Sequence, residues 1–181
     1  MSIMDLWLPI LVAAIVCFFA SAVMWAALKY HNRDYRKAAD EEAVRAALKG
    51  SAPGYYILPF CLDPAEAKNP EMEKKFDEGP LAYITIGKNG MPSMGPKMAL
   101  MFVYFVIVSV LAAYFVTFSV TPGAEYLHVF RVAGTVAFIA NSFALIPESI
   151  WFERPWSMTV KNFIDALVYS LLTGGIFGWL V

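Results

Sequence analysis

The sequence predicts a membrane all-α bundle of about four transmembrane helices, with a small α+β cytoplasmic insertion between helices 1 and 2. Three observations lead to that class. The 181-residue chain is 59% apolar and its mean hydropathy is +0.56, above the roughly 45–50% apolar content of soluble domains. Four apolar stretches lie along it, spaced so that each can form a helix across the roughly 30 Å hydrocarbon core. When they are threaded back and forth, 13 of the 14 Lys and Arg fall on one side. Basic residues flanking membrane spans are held on the cytoplasmic face, so both termini are expected to be periplasmic.

The first span is expected over residues 6–28. Pro9 sits in its first turn, where a missing N–H costs little. The N-terminus has no Lys or Arg before the apolar run, which argues for a retained anchor over a cleaved signal peptide. Lys29, Arg33, Arg36 and Lys37 follow at once, opposed only by Asp34, and read as a patch anchoring the inner surface, since each cation near anionic lipid contributes about 1 kcal/mol. The second span is expected over residues 98–120, closed by the turn signal Thr121-Pro122-Gly123. The third, over 124–147, contains Arg131, whose long side chain can reach the outer headgroups, and Pro147 is read as its end. A loop from Glu148 to Lys161 leads to the fourth span, 162–181. Aromatic residues fit this threading: Trp7, Tyr126 and Trp179 fall at the outer boundary, and Trp25, Tyr30, Trp151 and Trp156 at the inner one.

Residues 29–97 carry 11 Lys/Arg against 10 Asp/Glu. That balance argues against nucleic acid as a partner, because phosphate binding needs a net basic surface. The segment reads as an αβαβ module. Asp40 caps a helix with acids in its first turn and Gly50 beyond its end; Tyr55 to Phe60 reads as an extended strand bounded by Gly54 and Cys61; Asn69-Pro70 opens a second helix; Leu81 to Ile86 forms a second strand before the turn pair Asn89-Gly90. So small a core is marginal without support.

Candidate sites are few. Asp165 lies one turn into the fourth span with Lys161 four residues earlier on the same face, a spacing that predicts a local ion pair, which Arg154 and Glu148 could extend into an interfacial network. Ionisable groups at membrane depth are functional candidates by default. Gly174 and Gly178 form a Gly-x-x-x-Gly pair, and Ala137, Ala140 and Ala144 make a small-residue ridge in the third span; such faces bring helix backbones close. No metal or cofactor is expected. The threading puts His31 and His128 on opposite faces, too far apart to share a haem iron, and the row Met91, Met94, Met98, Met101 is broken by Pro92, Gly95 and Pro96. Cys17 and Cys61 lie in an apolar span and a polar segment, so no disulfide framework is expected.

The stretches Asn89-Gly90-Met91-Pro92-Ser93-Met94-Gly95, Ser149-Ile150-Trp151-Phe152, Pro155-Trp156-Ser157, Asp165-Ala166-Leu167 and Gly178-Trp179-Leu180 resemble those of a group of small bacterial inner-membrane proteins without assigned activity. The resemblance implies a bacterial inner membrane and a similar helical architecture, and it carries no functional residue. From the residues themselves, the expectation is a non-catalytic accessory or scaffolding subunit. It would pack against lipid and other membrane subunits in a larger complex, of the respiratory or photosynthetic kind. The alternative is a small oligomeric transporter or channel.

Overall fold

The computed structural model describes all 181 residues, and the chain divides into two compact units, residues 1–36 with 93–181 and residues 37–92. It is mostly helical, at 70%. Four helical stretches are long and apolar enough to cross a membrane: Ile3–Ala27, Met94–Ser119, Tyr126–Trp151 and Trp156–Leu180.

In the larger unit, α1 (Trp7–Ala22) runs into a π-helical turn, Val23–Ala27, in which the Leu28 N–H reaches back to the Val23 carbonyl at 3.0 Å. Lys29 then takes a left-handed backbone conformation, φ 53°, and a 3₁₀ turn, Tyr30–Asp34, follows. A straight helix to Leu28 was the sequence expectation. The π turn widens the helix by a residue, and the left-handed residue reverses the chain. After α4 (Met94–Ser119) comes α5 (Tyr126–Ser142). Pro147 does not end the third stretch. The chain tightens through Phe143–Leu145 and restarts as α6 (Ile146–Trp151) with Pro147 in the first turn, where proline has no intrahelical N–H to lose. The expected loop shrinks accordingly, and α7 (Trp156–Leu180) begins six residues before Asn162.

The bundle core has two layers. At one end Leu6, Ile10, Ala13, Val116, Val129 and Phe177 pack together; at the other, Ala14, Cys17, Met24, Phe105 and Tyr169 do so. Between α5 and α7 the packing is backbone to backbone. A Cβ on Gly134 would stand 3.3 Å from the Ser170 carbonyl oxygen, and one on Gly174 2.8 Å from that of Phe130. Close approach of this kind brings many atoms of the two helices into van der Waals contact.

In the smaller unit, α2 (Glu41–Leu48) is capped by Asp40, whose Oδ1 accepts from the Ala43 N–H at 2.9 Å. α3 (Pro70–Glu78) is capped by Asn69. β1 (Gly54–Leu58) and β2 (Ala82–Ile86) pair antiparallel, with Tyr56 opposite Ile84. This is the expected αβαβ order. Its only buried apolar side chain is Met72.

Candidate functional site

The reversal after α1 turns His31 in against α7. His31 is 3% exposed, its ring stacked on Trp25 with centroids 3.8 Å apart and planes 8° from parallel. Its Nε2 lies 2.9 Å from Oδ2 of Asp165, and its Nδ1 lies 3.1 Å from Oδ2 of Asp34. The Tyr30 hydroxyl donates to the other Asp165 oxygen. Lys161 donates to Asp34 Oδ1 at 2.5 Å and to the Tyr30 carbonyl at 3.0 Å. Two chain segments 134 residues apart thus build one buried polar cluster.

Hydrogen-bond chemistry fixes its proton count. A neutral imidazole offers one N–H and one lone pair, whereas an imidazolium donates from both nitrogens. With Nδ1–H donating to Asp34, one further proton lies between His31 Nε2 and Asp165 Oδ2, and either group can hold it. The His31–Asp165 pair with that shared proton is neutral in sum, Lys161 balances Asp34, and the cluster is neutral overall, as burial demands. The Lys161 hydrogen bond holds the Asp34 carboxyl below the usual carboxylate range, outweighing burial, which acts the other way; His31 adds to the lowering.

The sequence-derived ion-pair network requires correction. Lys161 and Asp165 are both in α7, as expected, but Lys161 does not pair with Asp165; each bonds to the segment after α1 instead. The physical reason is the chain reversal. It brings in a histidine and a second carboxylate that offer both α7 residues better-directed partners than the four-residue spacing does. Arg154 and Glu148 stand outside the cluster. The Arg154 backbone N–H reaches the Glu148 carbonyl at 3.3 Å, its buried Nε has no hydrogen-bond partner, and Glu148 is exposed.

The other expected residues are placed as follows. Lys29, Arg33, Arg36 and Lys37 are all exposed. Gly174 and Gly178 face α5 within the same bundle: a Cβ on Gly178 would stand 2.8 Å from the Tyr126 ring. The alanine ridge divides, with Ala137 buried in the core, Ala140 half-buried and Ala144 exposed. Sequence reasoning missed His31, Tyr30 and Asp34 as site residues. The available signal was positional, since His31, Asp34, Lys161 and Asp165 all fall at the same end of the threaded spans, with His31 and Asp34 at helical spacing.

A groove of about 610 Å³ opens next to the cluster, lined by Asp165 and by residues of all four long helical stretches. On its wall the Tyr104 hydroxyl donates to Asn141 Oδ1 at 2.9 Å, and the Asn141 amide donates to the Ala137 carbonyl at 2.6 Å.

No family model, curated protein or solved structure matches this chain. The functional reading therefore rests on the chain's own residues.

Proposed function

We propose that the protein is a multi-pass bacterial inner-membrane protein, both termini periplasmic, acting as a non-catalytic accessory subunit of a larger membrane complex. The 37–92 module would be its docking element. The observation that carries this reading is the module's inverted exposure. Met72 alone is buried, at 9% exposure, while Phe60 is 67% and Leu62 71% exposed, and Tyr55, Leu58 and Leu81 are exposed with them. A lone two-stranded sheet is marginal in water, and exposed apolar groups of this size in a folded unit mark an interaction surface.

A protein partner fits better than the lipid surface. The module carries 7 Lys/Arg against 9 Asp/Glu, and an acidic unit is repelled by anionic headgroups. Aromatic and aliphatic anchors such as Phe60 are the residue types that dominate protein interfaces. The small-residue faces of α5 and α7 lend less support than the sequence suggested, because Gly174 and Gly178 are engaged inside the bundle.

Purification of the full chain in mild detergent, followed by mass measurement, tests the proposal. The expected result is a complex heavier than any assembly of this chain alone, lost when Phe60→Asp and Leu62→Asp are combined. Isolation of the unmodified chain as a lone stable monomer would sink it. A second reading, a small oligomeric transporter, draws its support from the groove beside Asp165.

A further inference from the structure

The groove has an uneven chemistry. Of its lining residues Asp165 is the one that carries a formal charge, and three aromatic rings, Trp25, Tyr104 and Tyr169, stand around it. Tyr169 is 5% exposed, and its hydroxyl is buried with Ser21 and Trp25 as its polar neighbours. The Asn141 amide donates to the Ala137 carbonyl while its Oδ1 accepts from Tyr104, and the Asn162 amide donates to the Met158 carbonyl. A wall with a carboxyl group and aromatic rings, and with no Lys, Arg or His, favours positive charge over negative. An aromatic ring carries the negative part of its quadrupole on its face and attracts a desolvated cation placed over it.

We propose that this groove binds an organic cation, its charge against Asp165 and its apolar body among Trp25, Tyr104 and Tyr169, and that each cation bound releases one proton from the His31 cluster. The coupling follows from charge balance. The cluster is neutral with one proton shared between His31 and Asp165, and an added positive charge at this depth is costly unless another leaves. Loss of the shared proton removes it. His31 keeps its N–H to Asp34, the hydrogen bond between Nε2 and Asp165 Oδ2 is given up, and the ligand's charge takes the proton's place beside the carboxylate. The titratable groups around His31 are Tyr30 and Asp34 on its own segment and Asp165 on α7, with Lys161 reached through Asp34; the π turn contributes only Trp25, which does not titrate. Lys161, 24% exposed, is where this chain meets water. One positive charge enters, one proton leaves, and the His31–Asp165 hydrogen bond is the one lost. The groove and the cluster lie wholly within the helical unit, so this binding is independent of what the 37–92 module docks to.

The test is calorimetric titration of the full chain in mild detergent with tetraphenylphosphonium, in two buffers of different ionisation enthalpy. Saturable binding is expected, with close to one proton released per cation and affinity rising about tenfold per pH unit while the shared proton is bound, as linkage requires. Tetraphenylborate, an anion of similar shape, should not compete. Asp165→Asn should weaken binding at least about tenfold, the loss expected when the only opposite charge is removed, and His31→Gln should retain binding but lose proton release. Absence of saturable binding, binding by the unmodified chain without proton release, or equal binding of tetraphenylborate would each overturn the proposal. The proton count needs no variant, so a substitution that fails to fold cannot rescue it.

Discussion

Asp34 is the residue on which the segment after α1 is fastened, because it meets both Lys161 and His31. Its carboxyl is held below the ordinary value of about 3.9, chiefly by the Lys161 hydrogen bond. A group lowered on folding stabilises the fold above its unfolded value, and that stabilisation is lost as pH falls through the lowered native value. The melting temperature of the detergent-purified chain should therefore decline as pH falls below about 4, and the Asp34→Asn variant should lack that part of the decline. Identical acid limbs for the two proteins would show that Asp34 is not fastened as described. Sequence alone did not disclose this residue's partners. Asp34 was visible as one acid among four bases, but its role depends on Lys29 adopting φ 53°. Only a few per cent of non-glycine residues have a positive φ, with Asn, Asp and His several-fold enriched. No composition rule points to a lysine doing so.

Helices were far more legible than their partners. Apolar runs pointed to four stretches, which overlap the four long apolar helical stretches of the structure, because the length and hydropathy of a span are local properties. Where the reading slipped, the cause was a backbone device: Pro147 opens α6, and the π turn continues α1. The Gly-x-x-x-Gly pair was also visible, but the helix it faces could not be read from α7 by itself. Its consequence at this scale is testable. Gly174→Ala places a methyl 2.8 Å from the Phe130 carbonyl oxygen, whereas Gly175→Ala meets nothing closer than the Tyr126 hydroxyl at 3.6 Å. Overpacking of the first kind costs about 1–3 kcal/mol. Gly174→Ala should thus lower the thermal midpoint of the helical unit, and Gly175→Ala should leave it nearly unchanged. The opposite order would mean that α5 and α7 do not approach as closely as these glycines permit.

For the whole molecule the sequence carried the architecture, four apolar helices with an αβαβ insertion, but not the cluster joining the first helical stretch to the last. Long-range pairing of charged groups leaves no periodic trace. Orientation across the bilayer can be read with the two native thiols, since Cys17 is buried in the bundle and Cys61 is partly exposed in the module. A membrane-impermeant maleimide should label Cys61 in inverted vesicles and not in right-side-out ones, and the reverse pattern would refute the proposed topology. The separation of 134 residues between His31 and Asp165 has a bearing on how the chain is made. His31 and Asp34 leave the ribosome long before α7 exists, so they must wait, paired at most with each other, until Lys161 and Asp165 are made. Docking of α7 is then the event that dries and closes the cluster. A chain stalled before that point would present an open histidine and aspartate, a chemical mark by which unfinished copies differ from finished ones.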